Sequence, residues 1–122
     1  MSEYEEILDV VDSEDRIIGK ASRLQVHNKD LMHRSAHILV FNSIGSLFLQ
    51  MREMNKDESP GLWDSSAAGH VESGEDYLSC AKRELKEELS LSIAQLDEVL
   101  FIPAQSVTFW EHVRVYKCVT DG

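Results

Sequence analysis

Gly69-His70-Val71-Glu72-Ser73-Gly74-Glu75-Asp76-Tyr77-Leu78-Ser79-Cys80-Ala81-Lys82-Arg83-Glu84-Leu85-Lys86-Glu87-Glu88-Leu89-Ser90-Leu91 is the stretch whose reading decides the fold. Its middle, opened by Ser73-Gly74-Glu75 and running to about Leu89, carries the one long helical pattern of the chain. At about 100° per residue, with Glu84 at zero, Glu87 falls at about 300° and Glu88 at about 40°, so three carboxylates share a face. Leu78, Ala81, Leu85 and Leu89 fall between roughly 60° and 140°, which predicts a separate apolar stripe. One stripe can pack on a sheet while the other projects into a cleft. Like charges at i,i+4 repel by roughly a few tenths of a kcal/mol. A hard divalent cation reverses that sign, because Mg²⁺ takes carboxylate and phosphate oxygens. The residue types alone leave a second reading open, a solvated acidic face relieved by Arg83 and Lys86.

Outward from this helix, short strands are predicted on both sides. Leu8-Asp9-Val10-Val11 reads as a strand, Asp12-Ser13-Glu14-Asp15 as a turn and Arg16-Ile17-Ile18-Gly19 as the returning strand of a hairpin. Residues 26–37 are mixed in character and hold three of the five histidines. His37-Ile38-Leu39-Val40-Phe41 reads as a buried strand, with turn chemistry over Asn42–Ser46 and a partner strand over Leu47–Met51. Residues 52–62 form a polar loop ending in Pro60-Gly61, and Glu98–Ile102 and Val113–Tyr116 are two further strands. With no internal repeat and no linker composition, residues 1–122 read as one α+β domain, several strands around a single marked helix.

Composition narrows the function classes. In 122 residues, 43% are apolar and 28% charged, which suits a soluble globule. The formal net charge of −10 counts against a nucleic-acid binder, which needs a basic face. A phosphorylated small molecule remains compatible if a divalent cation stands between the negative groups. The longest apolar run, near Ile38–Phe41, is far below the roughly 18 residues that span a membrane. The acidic start, Met1-Ser2-Glu3-Tyr4-Glu5-Glu6, has no signal-peptide pattern. Cys80 and Cys118 form neither a disulfide framework nor a C-x-x-C pair, so a reducing cytoplasm is expected, with both thiols as small buried residues.

The spacing from Gly69 to Leu91 resembles the signature of the Nudix hydrolases: Gly, five residues, Glu, seven residues, Arg-Glu-apolar-x-Glu-Glu-x-Gly-apolar. Every fixed position matches except the last glycine, here Ser90, which ends the helix and touches no ligand. The resemblance implies an α/β/α sandwich with a mixed sheet and a loop-helix-loop. It implies hydrolysis of a nucleoside diphosphate linked to another moiety, with Mg²⁺ or Mn²⁺. It gives Glu84 and Glu88 as main metal ligands and Glu87 as a further ligand or water-activating base. The backbone carbonyl of Ala68 is another ligand, and Glu75 with Arg83 is an orienting ion pair. Phosphoryl transfer needs charge neutralised on the equatorial oxygens and an aligned water, and a free carboxylate can take the proton of that water.

A narrower resemblance covers nearly the whole chain. Leu49-Gln50-Met51-Arg52, Lys56, Pro60-Gly61-Leu62-Trp63 and Gly69-His70, with the His27–His33 region and Glu111, are similar to the isopentenyl-diphosphate isomerase branch of that superfamily. It implies that Arg52, Lys56 and Arg83 contact a diphosphate and that His27, His33, His70 and Glu111 lie near the metal. Two departures count against isomerase activity: Ala68 stands where the isomerases carry a proton-transferring cysteine, and the hydrolase box is intact. Read as residues, His27, His33 and His37 are either structural or ligands, and His70 either serves the site or packs beside the loop. Glu111 is either a base or ligand in the cleft or an exposed strand-end charge; Trp63 and Trp110 read as core or cleft wall. The chain stops at Gly122, short of the helix most Nudix domains carry there, which leaves an apolar patch that a second copy could cover.

Overall fold

The computed structural model describes residues 6–45, 47–48, 50–51, 63–64 and 66–120. In chain order these form β1 (Ile7–Val11), β2 (Ile17–Ser22), α1 (Arg23–Asn28), β3 (His33–Phe41), β4 (Leu47–Phe48), β5 (Gln50–Met51), β6 (Trp63–Asp64), β7 (Ala67–His70), α2 (Tyr77–Leu89), β8 (Asp97–Ile102) and β9 (Glu111–Val119). The polar loop 52–62, with Arg52, Lys56 and Pro60-Gly61, lies outside the described residues except that β6 follows it.

The expected hairpin forms between β1 and β2, antiparallel, around a turn in which the Asp12 carboxylate accepts from the backbone N–H of Glu14 and of Arg16, both at 2.9 Å. The short α1 was not predicted. Ser22 caps it by accepting from Gln25 N–H at 3.2 Å, while the Gln25 side chain accepts from Ser22 N–H at 3.0 Å, a reciprocal capping box.

The main sheet is mixed. β3 runs parallel to β9, from His33↔Glu111 to Phe41↔Val119, and antiparallel to β7, from Ser35↔His70 to Ile38↔Ala67. β4 extends the β7 side of β3, and β8 pairs antiparallel with β9 on the far edge. β3 begins four residues earlier than His37, so the mixed segment 26–37 divides into the end of α1 and a buried half-strand. Because side chains alternate across a strand, His33, Ser35, His70 and Glu111 share one face of this sheet. Ala36, Ile38, Val40, Tyr116 and Cys118 point the other way and form the core with α2.

Helix α2 starts at Tyr77, with Asp76 as its cap: the Asp76 side chain accepts from Ser79 N–H at 2.7 Å. The buried side of the helix keeps Ala81 and Leu85 of the predicted stripe, with Leu89 packed against the core, but not Leu78. Leu78 is 41% exposed, whereas Tyr77, Cys80, Ala81, Glu84 and Leu85 are buried. The buried arc is shifted from that stripe by about 70°, so that it also contains Glu84. The reason is the small residues on either side: Gly69 and Ala67 on β7 let the helix settle close, and a carboxylate rather than a methyl group fills the gap. Both cysteines are buried and free, as expected. Among the described residues no helix is long and apolar enough to cross a membrane.

Candidate functional site

The site is built around the junction of β7 and α2. A Cβ on Gly69 would overlap the Glu84 carboxylate, so only glycine admits that side chain here. Glu84 is 8% exposed. Burial, and after it a hydrogen bond with the Glu88 carboxyl, push the Glu84 pKa far above the ordinary carboxylate range. Two carboxyl groups brought this close, one of them buried, mark a place where a cation is electrostatically welcome.

Arg83 organises the rest of this junction. Its Nε and Nη2 donate to the two oxygens of Glu75 at 2.7 and 2.9 Å, a two-pronged pair. Its Nη1 donates to Glu84 at 2.8 Å and to Glu87 at 3.3 Å, and Nη2 also reaches the His70 carbonyl at 3.2 Å. Glu75 in turn accepts from Glu72 N–H at 3.1 Å. The expected Glu75–Arg83 ion pair is therefore present and ties the loop after β7 to the middle of α2. Beneath it the Cys80 thiol lies 3.5 Å from the His70 carbonyl, and burial pushes that thiol's pKa up, so it stays a neutral packing group.

On the sheet face beside this junction, His27, His33 and His70 converge. Each offers a ligand atom, and these atoms lie within 4.8 Å of one another. The ring centroids are 5.2 to 5.8 Å apart. Glu111, 8% exposed, places one oxygen 3.3 Å from His33 Nε2 and 3.0 Å from His70 Nε2. Burial opposes the charge on Glu111, but the hydrogen bonds from His33 and His70 hold its pKa well below the carboxylate range. His70 is the mirror case: burial resists its protonation, and hydrogen bonds to Glu111 and Glu6 outweigh that and push its pKa up to about 9.

Of the residues marked in the sequence, His33, His70 and Glu111 are brought together as one buried cluster, which decides against an exposed Glu111. His27 joins them. His37 does not; it stands further along β3, opposite Ala68. Glu84 and Glu88 approach each other, while Glu87, 57% exposed in its side chain, is held aside by Arg83. Among the described residues the three histidines are the one set of three candidate ligands with donor atoms this close, and the three glutamates are not such a set. Ala68 lies on β7 beside Gly69, with its backbone next to the junction. The Trp63 side chain is outside the described set, and Trp110 precedes Glu111 with a left-handed backbone, φ 63°. Sequence reading missed Glu6, whose carboxylate lies 3.6 Å from His70 Nδ1.

Two donor chemistries meet here. The Glu84–Glu88 pair offers hard oxygens, which suit Mg²⁺ or Mn²⁺. Three imidazoles with one carboxylate suit a borderline ion such as Fe²⁺, Co²⁺ or Zn²⁺. The residues present fit a divalent metal at both places.

A family model described as the NUDIX domain matches residues 31–120. The chain is 43% identical over 95 residues to an isopentenyl-diphosphate Delta-isomerase of Serratia proteamaculans (strain 568), covering 78% of this chain and 52% of that protein. It is 40% identical over 119 residues to an uncharacterized Nudix hydrolase of Yersinia pestis, covering 96% of this chain and 64% of that protein. The chain thus spans between half and two thirds of the length of these relatives. Its fold is similar to the crystal structure of DR0079 from Deinococcus radiodurans, with a TM-score of 0.79 and 27% identity over 96% of this chain and 74% of that one.

Proposed function

The chain belongs to the NUDIX family, and from that premise we propose that it is a divalent-metal-dependent pyrophosphohydrolase. Its substrate would be a nucleoside diphosphate linked to another moiety, cleaved by attack of water on phosphorus. The observation that carries this reading is the placement of Glu84: a buried carboxyl beside Glu88, held by Arg83 and seated where the missing Cβ of Gly69 leaves room. Glu84, Glu88 and the Ala68 carbonyl would hold Mg²⁺ (or Mn²⁺), with Glu87 as a further ligand or as the base. When bound, the ion neutralises charge on the phosphate oxygens and lowers the pKa of water. Glu75 fixes Arg83, and Arg83 fixes the Glu84 oxygen it touches, so the ligand set is oriented before substrate arrives. His70 and, outside the described residues, Arg52 and Lys56 would bind the diphosphate. Glu111 is ionised and buried with its Oε2 held by His33 and His70, which suits a ligand better than a base.

The same reading gives His27, His33, His70 and Glu111 a second, borderline divalent ion. These histidines, and the isomerase relatives, favour one alternative, isomerisation of an allylic diphosphate. Ala68 counts against it, because a methyl group transfers no proton.

The test is a panel of sugar-linked, dinucleotide and simple nucleoside diphosphates incubated with Mg²⁺, with product identification. Metal-dependent release of nucleoside monophosphate is expected, with turnover reduced by about 10²-fold or more in Glu88→Gln. Absence of turnover across the panel would sink the hydrolase reading. Exchange of solvent deuterium into an allylic diphosphate without phosphate release would favour the alternative.

A further inference from the structure

Among the buried side-chain nitrogen and oxygen atoms of the described residues, two make no hydrogen bond: Arg114 Nε and Ser35 Oγ. The first has a local explanation. The Arg114 guanidinium lies over the rings of Tyr77 and Phe101, 4.6 and 4.8 Å from their centroids, and its Nη1 donates to the two oxygens of Glu98 at 3.0 and 2.9 Å. Ser35 has no such neighbourhood. It is 2% exposed, and a hydroxyl so deeply buried as a rule donates its proton to something.

Strand β3 runs between β7 and β9. Ser35 pairs with His70 on one side and with Val113 on the other, so its backbone is fixed and only the hydroxyl can turn. His70 and Glu111 stand on opposite sides of β3, yet His70 Nε2 and Glu111 Oε2 are 3.0 Å apart. They therefore meet across β3, on the face that β3 fills with His33 and Ser35. His33 joins that bridge through its Nε2, 3.3 Å from the same oxygen. Ser35 is the other β3 side chain beneath it, near enough to favour the charge on Glu111 but outside hydrogen-bond geometry.

Both of these hydrogen bonds to Glu111 Oε2 come from imidazoles, and the Ser35 hydroxyl is left idle. Coordination reverses that arrangement. A ring nitrogen that binds an ion no longer donates a hydrogen bond, so Glu111 loses both imidazole donors as it becomes a ligand. Ligating carboxylates are in turn hydrogen-bonded, and Ser35 is an unused donor at hand.

We propose that Ser35 is a positioning residue for Glu111: its hydroxyl donates to the Glu111 carboxylate when His27, His33, His70 and Glu111 hold a divalent ion. The inference rests on reading the histidine cluster as a metal centre.

The experiment compares the parent chain with Ser35→Ala, which removes one oxygen atom and no carbon. The first readout is the urea midpoint with a chelator present. A hydroxyl that merely holds the fold together predicts a lower midpoint in the variant. An idle one predicts a midpoint equal to the parent's or above it, because a buried donor without an acceptor is removed. The second readout is Co²⁺ binding, by calorimetry and visible absorption, with excess Mg²⁺ present to occupy the Glu84–Glu88 oxygens. The dissociation constant of Ser35→Ala is expected to rise about tenfold or more, with a changed visible band of the bound ion. A lower metal-free midpoint overturns the proposal. So does a Co²⁺ affinity equal to that of a parent chain that binds the ion, and the metal-centre reading then stands without Ser35. A parent chain that binds no Co²⁺ overturns both.

Discussion

Gly69 and Glu84 occupy one another's space: a Cβ added to the glycine would come 2.7 Å from the Glu84 Cγ and overlap the carboxylate beyond it. The first prediction follows from that contact. In Gly69→Ala the Glu84 side chain must swing away, which breaks its 2.8 Å bond from Arg83. Overpacking of this kind costs about 1–3 kcal/mol, and turnover should fall with it. Gly19→Ala is the control, since a Cβ there meets nothing within 4 Å. Urea midpoints and turnover of the two variants check this; equal behaviour would remove the steric account of Gly69.

The second prediction concerns the proton shared by Glu84 and Glu88. With the Glu84 pKa pushed up to about 8 by burial and by its bond with Glu88, a proton competes with any cation below that pH. Apparent Mg²⁺ affinity should rise toward about tenfold per pH unit from pH 6 and level off near pH 8. In Glu88→Gln the residual binding should level off at a lower pH, because only burial and the Glu87 charge then oppose ionisation. Calorimetric titrations at several pH values measure both slopes, and an affinity independent of pH between 6 and 8 would contradict the shared proton.

How far the sequence went can be judged from particular residues. The spacing from Gly69 to Glu88 was legible because it is local: cap, turn and helix face are set by neighbours within a few positions. The inward turn of Glu84 was not, because a helical wheel ranks residues by polarity and cannot see the missing Cβ of Gly69 fifteen positions away. Ser22 and Gln25 did carry a readable sign of α1, a Ser followed three residues later by Gln. The first half of β3 looked polar because the partners of His33 and Arg34 are distant in sequence: Glu111, 78 residues on, and Asp15, 19 residues back. Glu6 left no trace for the same reason; its partner His70 is remote and nothing near residue 6 announces it.

A third prediction is the pH dependence of stability in the metal-free chain. His70 has its pKa raised from an ordinary 6.5 to about 9, with burial opposing and Glu111 and Glu6 prevailing. Its contribution is therefore fully present below pH 6.5 and is lost as pH rises through 9, on the order of 3 kcal/mol. Glu84, also raised, acts in the same direction between 4.5 and about 8. Urea midpoints with a chelator present should fall steadily from pH 6 to pH 9. The fall should be shallower in Glu111→Gln, which removes the main charge facing His70. A flat profile in the parent chain would mean that the cluster does not hold a proton.

The last prediction tests the end of α2. Ser90 has φ 58° and ψ 31°, the left-handed conformation in which a side chain is strained, and Leu91 N–H closes the turn onto the Leu85 carbonyl at 3.2 Å. The strain costs a non-glycine residue about 1 kcal/mol. Glycine would remove it and lose part of the gain to its freer unfolded chain. Ser90→Gly is thus expected to stabilise the protein by about 0.5–1 kcal/mol, or roughly 2–5 °C in Tm. Ser90 is exposed and lies beyond the helix turn that carries Glu84 and Glu88, so turnover with Mg²⁺ should stay the same. A thermal scan and an activity measurement on one sample decide it: a lower Tm would show that the serine makes a contact worth more than its strained backbone, and a changed turnover would tie the helix end to the site.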